Sequence, residues 1–276
     1  MKISKKNIIA AASLLAGSFL MSMVPLEGFV PTRPAPEARE IMEKARDASR
    51  LSGLEAVSTL RIYDAKGRVR VRQTSMASRE FNNGATEKRI IRFLSPAEVK
   101  GTGMLIYDYK EKNDDMWIYM PALRKTRRIV SSEKSKSFMG SEFSNADMSA
   151  PNLEDFEYTI LRSEVFDGTD CWVIEVIPAD EDIMDEMGFD RRLAWIGKTD
   201  YVQRKSEYYN EDNELFKLLK STSIKAIDPS GKKFMAMHME MENKENGRRS
   251  VMTMDEIQYN PDVKEEYFSL VYLEKI

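Results

Sequence analysis

From Glu55 onward the apolar residues recur with a period of two. Turn-forming clusters cut the pattern at short intervals: Asp64 to Gly67, Asn82 to Gly84, Glu111 to Asp115, Asp167-Gly168, Asn210 to Asn213, Asp228 to Gly231 and Asn243 to Gly247. A period of two marks strands, because successive side chains leave the pleated backbone on opposite faces. Gly, Asn and Asp supply the backbone freedom that tight turns need. The pattern predicts strands near 55–62, 68–77, 86–94, 103–109, 115–120, 124–130, 156–163, 171–178, 191–197, 201–208, 214–224, 233–241 and 249–257. A sheet of this size curls rather than staying flat and open. The expected fold class is therefore mainly β (α+β): a curved antiparallel sheet of about 11–13 strands forming an incomplete β-barrel, with a few helices covering the concave side. Arg68-Val-Arg-Val-Arg72 alternates strictly, which predicts that one face looks to water.

Helical signals are sparse. Ala38, Ile41, Ala45 and Ala48 share one side of a predicted helix over 36–50, and Gly53 supplies its stop. Ile183, Met184 and Met187 give a second, short one near 182–189, and both are candidates to cover the inside of the sheet. Upstream, Lys2, Lys5 and Lys6 precede an uncharged apolar stretch from Ile8 to Val24, then a run of prolines at 25, 31, 34 and 36. This reads as an export signal over 1–28 and a Pro-rich linker over 29–36; cleavage of the signal and its retention as an anchor both fit. One domain over 37–276 is expected.

The 276 residues carry a net charge of -3, with 42 Lys and Arg against 45 Asp and Glu, so no global basic field exists to hold a nucleic-acid backbone. A single cysteine, Cys171, forbids an internal disulfide. A single histidine, His238, leaves no set of His and Cys ligands for zinc, and neither a metal nor a cofactor is expected.

Methionines 235, 237, 239 and 241 fall on one face of one predicted strand. Met104 with Ile106, and Met116 with Ile118, repeat the device. Flexible, polarizable thioethers suit a wall that meets acyl chains, and they equally suit an ordinary sheet core. The aromatic group of Tyr107, Tyr109, Trp117 and Tyr119 fits a pocket mouth or cross-strand pairs. Between strands, the segment 131–152 carries Phe138, Met139, Phe143 and Met148, apolar residues that gain by docking. A lid and a self-packed loop both fit. Arg124, Lys125, Arg127 and Arg128 form a concentrated basic run, read either as a site for head groups or a partner or as a solvated strand face.

Three stretches carry a family resemblance: Phe93 to Tyr109, Asp115 to Ile129, and Ser137 to Phe143 with Asp147-Met148 after it. Through them the chain resembles the LolA-like outer-membrane lipoprotein-sorting proteins, exported proteins often paired with RND/MMPL-type exporters. The resemblance implies a single LolA/LolB-like half-barrel enclosing an apolar cavity for acyl chains, with no catalytic residue. It implies a periplasmic carrier or receptor that holds a lipid or lipoprotein against Met104, Ile106, Met116, Ile118, Met235, Met237, Met239 and Met241, touching the membrane transiently or through an uncleaved N-terminal segment. Two other functions stay open. One is a phospholipid hydrolase using His238 and a serine of the 131–149 loop, although no Gly-x-Ser-x-Gly elbow is present and alternation puts His238 opposite the methionines. The other is a non-catalytic accessory subunit that docks on an RND/MMPL-type transporter through the basic run.

Overall fold

The computed structural model of the chain describes residues 37–150 and 152–275; the export signal and linker assigned to 1–28 and 29–36 lie outside the described residues. Six strands run outward as a meander: β1 Gly53–Tyr63, β2 Val69–Phe81, β3 Thr86–Ser95, β4 Gly103–Tyr109, β5 Asp115–Met120 and β6 Lys125–Ile129. Seven more run back: β7 Phe156–Phe166, β8 Thr169–Pro178, β9 Arg191–Gly197, β10 Gln203–Tyr209, β11 Leu215–Ala226, β12 Phe234–Asn243 and β13 Arg249–Tyr259. The last pairs with the first, so all thirteen form one antiparallel sheet with β6 at one edge and β7 at the other. The sheet is curved and does not close into a barrel. Register shifts at Val57/Ser58, Gln73/Thr74, Ile160/Arg162, Gln203/Lys205 and Tyr208/Tyr209 insert extra residues, each of which bends its strand and increases the local twist.

The chain passes from edge strand β6 to edge strand β7 through residues 130–155, and this segment crosses the inner face of the sheet. Its Phe138, Phe143, Met148 and Leu153 are buried in the same core as Leu60, Ile91, Met104, Ile174 and Met241. Helix α1, Ala38–Ser49, adds Ala38, Ile41 and Met42 to that core. The short helices α2, Ser131–Lys134, and α3, Glu181–Met187, pack on each other at the sheet's two edges. The Asp180 carboxylate caps α3 by accepting from the Ile183 N–H at 2.9 Å, and Gly188 ends it in the left-handed region at φ 72°. A Cβ on Gly188 would stand 2.8 Å from the Ser135 Cβ, so glycine there also permits the two helices to approach.

The outer face differs from the sequence-based expectation of a water-facing surface. The C-terminal segment, ending in α4, Leu270–Leu273, lies across β3–β5 and buries Val263, Phe268 and Leu273 against Ala77, Ile90, Leu105 and Tyr119. Tyr107 and Trp117 belong to this layer: their rings meet edge to face at 5.1 Å, and the Tyr107 hydroxyl donates to the Phe268 carbonyl at 2.6 Å. Tyr107, Trp117 and Tyr119 therefore pack across strands under a cap, while Tyr109, at the end of β4, lines a small charged cavity. A second outer cluster surrounds Cys171 with Val173, Leu193 and Trp195; burial pushes its thiol upward in pKa. At the start of β2 both faces reach water: Arg68 and Arg70 are exposed, as are Val69 and Val71, and Arg72 is half-buried. Arg70 and Arg72 stand opposite Ile62 and Leu60 on the inner face, while Val69 and Val71 are exposed on the outer one.

Candidate functional site

Residues directly opposite in an antiparallel ladder point to the same face, so the register defines what lines the inside. One inner row reads Ser221, Met239, Met252, Leu60 and Arg72 across β11, β12, β13, β1 and β2. The next reads Leu219, Met241, Ser250, Ile62 and Arg70. A third runs from Ile257 through Ala56, Met76, Ile91 and Met104 to Ile118. All four stripe methionines thus share the inner face, but their environments differ. Met241 is fully buried, while Met235, Met237 and Met239 are half-buried. Met235 packs with Leu51, Leu54, Ala56 and Ile257 in a smaller cluster at the end of β12 that leads into the turn toward β11. Met104, Ile106 and Met116 lie sealed within the main core, and Ile118 packs against it half-buried.

Arg72, Arg89, Arg248, Asn243 and Ser250 hold the crossing segment down on this face. The guanidiniums of Arg72 and Arg89 donate to the carbonyls of Met139 and Met148, and Arg248 donates to that of Gly140 at 3.0 Å. Glu142, buried, pairs with Arg248 at 2.9 Å and accepts from the Asn243 amide at 3.1 Å, while its own N–H donates to Ser250 Oγ at 2.9 Å. Met139 and Gly140 both adopt positive φ, which turns their carbonyls toward these arginines. Burial, then the neighbouring Arg70, lowers the Arg72 pKa. Phe138 sits within 5.7 Å of Phe93 between ring centroids, Phe143 and Met148 are buried, and Met139 is half-buried. The segment is thus an inserted plug, tied to β2, β3 and the β12–β13 turn.

Alternation divides the basic run. Arg127 stands opposite Ile118 on the inner side and pairs with Glu133 at 2.7 Å, while Arg128 stands opposite Trp117 on the outer side and pairs with Asp115. Arg124 and Lys125 are exposed at the β6 edge. His238 lies opposite Thr222 and Thr253, on the face away from the methionines.

Sequence reasoning did not single out the charged cluster under the last turn of α1. Arg89, half-buried, lies 2.8 Å from Glu87 and 3.9 Å from Asp108; desolvation opposes its charge, yet those two carboxylates raise its pKa. Burial pushes Asp108 up to about 8 against the pull of Arg89, and burial also raises the neighbouring Asp114. Asp108 accepts from the Ala150 N–H at 3.2 Å, fastening the far end of the crossing segment. The available signal was charge inside a strand: Glu87, Arg89 and Asp108 fall at the same alternate positions of their strands as the inward-facing Ile91, Met104 and Ile106.

An open, curved antiparallel sheet whose inner face is filled by an N-terminal helix and a crossing segment defines the LolA-like class of fold. Solved structures agree. A domain assigned to outer membrane lipoprotein sorting, from Vibrio parahaemolyticus, is 28% identical with a TM-score of 0.79, covering 86% of this chain and 98% of its own. A DUF1329 family protein from Desulfovibrio piger is 27% identical with a TM-score of 0.78, covering 86% and 97%. A LolA superfamily protein from Nitrosomonas europaea shares the fold at 20% identity and a TM-score of 0.66, covering 86% and 100%. No curated protein matches the chain. A family model described as that of an uncharacterized protein matches residues 85–275, more than half of the chain, and the chain belongs to that family.

Proposed function

We propose that the protein is an exported, periplasmic carrier or receptor that takes acyl chains of a lipid or lipoprotein onto the inner face and delivers them toward the outer membrane. The observation that carries this reading is the half-buried row of Met235, Met237 and Met239, flanked by half-buried Met252, beside a plug that combines polar ties with the buried rings of Phe138 and Phe143. Methionine surfaces repack at low cost around varied apolar partners. Release of the arginine-to-carbonyl contacts would lift Phe138 and Phe143 and extend the apolar surface to Met104 and Met241. Transfer needs only different affinities in donor, carrier and acceptor, so no catalytic group is called for. The assignment to lipoprotein sorting of the Vibrio parahaemolyticus domain supports the cargo class. A membrane exporter of the RND or MMPL type is the partner this reading favours, with exposed Arg124 and Lys125 at the β6 edge as its contact.

The test is uptake of a fluorescent fatty acid by the purified protein. Wild type is expected to bind saturably, and the folded variant carrying Met237→Asp and Met239→Asp is expected to lose uptake. Undiminished uptake by that variant overturns the placement of the acyl site.

A further inference from the structure

A cavity of about 70 Å³ lies between the last turn of α1, the start of β3, the end of β4 and the end of the crossing segment. Holding one water takes roughly 10–15 Å³ on the same measure, so the space admits a group larger than a single water. Six charged side chains line it: Arg46, Arg50, Arg89 and Lys110 against Glu87 and Asp108. Cations outnumber carboxylates, and Asp108 is held toward its neutral form by burial, so the excess is larger than the count suggests.

Three buried polar atoms around this cavity have no hydrogen-bond partner among the described residues: Arg46 Nε, Arg50 Nε and Asp108 Oδ2. Arg50 Nε stands 3.1 Å from Glu80 Oε1 as an ion pair, but its N–H is not aimed at that oxygen. Arg50 and Asp108 are almost entirely buried, with side-chain exposures of 11% and 6%. Unmet donors of this kind cost free energy unless a ligand satisfies them. Two guanidinium N–H groups and a lysine ammonium together make a set of donors for a compact oxyanion.

We propose that this cavity is a phosphoryl-binding site, with Arg46, Arg50 and Lys110 as its donors, and that it holds the head-group phosphate of a phospholipid cargo. The choice of a lipid as the source rests on the carrier reading above. The chain runs from Arg50 directly into Leu51, and Leu51 belongs to the apolar cluster that contains Met235. A phosphate in the cavity therefore places the attached acyl chains at the start of the methionine row.

The experiment is calorimetric titration of the full chain at constant ionic strength with inorganic phosphate, and separately with a short-chain phosphatidylglycerol below its micelle concentration. Uptake of an uncharged acyl probe, the methyl ester of the fluorescent fatty acid, which brings neither phosphate nor carboxylate to the cavity, is measured in parallel. Both phosphate compounds are expected to bind, with affinity falling at least about tenfold in Arg46→Gln, as expected for loss of a charged hydrogen bond, while methyl-ester uptake is unchanged. Lys110→Gln, at an exposed side chain, supplies the same comparison if Arg46→Gln does not fold. Absence of saturable phosphate binding, or binding unchanged in both variants, overturns the site. Binding of free phosphate without the phospholipid overturns the head-group assignment and leaves the phosphoryl site standing. Absence of methyl-ester uptake by the wild-type protein would instead strike the carrier reading alone.

Discussion

Asp108 keeps its proton to about pH 8 in the folded protein, whereas in the unfolded chain it releases it near 3.8. Between those values the folded state binds more protons, so stability decreases as pH rises. The contribution is complete at low pH and lost as pH climbs through 8. Urea unfolding between about pH 4 and 8 is expected to show this fall, and Asp108→Asn to flatten it; equal slopes in the two proteins would contradict the assignment. Gly188 makes a backbone prediction. Replacement by Val forces a β-branched residue into positive φ and drives its Cβ into Ser135, at an expected cost of about 2–4 kcal/mol by chemical denaturation. At this scale the sequence was readable where chemistry is local, as at Gly188. It was unreadable where a side chain's partner is distant: nothing in Arg68-Val-Arg-Val-Arg72 announces that Arg72 reaches a carbonyl at residue 139.

Strands were the most legible elements, because alternation and turn chemistry are written within each hairpin. Every predicted strand has its counterpart within a few residues, and both predicted helices are present. Two elements were not legible as to their place. The segment 131–152 has no period, and only the tertiary ties of Arg72, Arg89 and Arg248 decide that it plugs the inner face. Arg72→Ala removes one charged hydrogen bond, at about 1.5–3 kcal/mol. Faster amide exchange confined to residues 137–144 is expected, with β2 still protected. Uniform exchange across the domain would show instead that the plug and sheet open together. The C-terminal cap was missed because its apolar residues, Val263, Phe268 and Leu273, follow no strand period and lie beyond the last hairpin. Phe268→Ala leaves a hole over β3–β5 and is expected to cost about 3–5 kcal/mol, read from urea unfolding.

At the scale of the whole molecule, two meanders are joined side by side through the β1–β13 ladder, ten residue pairs formed by strands at opposite ends of the sequence. Contacts this remote in sequence make folding slow relative to helical domains. They also tie the halves into one cooperative unit. Trp117 belongs to the first meander and Trp172 and Trp195 to the second. Urea unfolding followed by Trp117 alone, in one variant, and by Trp195 alone, in another, is expected to give coincident transitions, and Leu60→Ala at the seam to shift both equally. Separated midpoints would mean two independently stable halves. The crossing segment is the one covalent link between the sheet's two edges, and each strand ladder lies wholly on one side of it or across the β1–β13 seam. A backbone cut within residues 131–152 therefore severs no ladder. In engineering terms the domain is a candidate split protein: a fragment ending in that segment and a fragment beginning there each carry a whole meander, and mixing the two is expected to rebuild the sheet along the β1–β13 ladder.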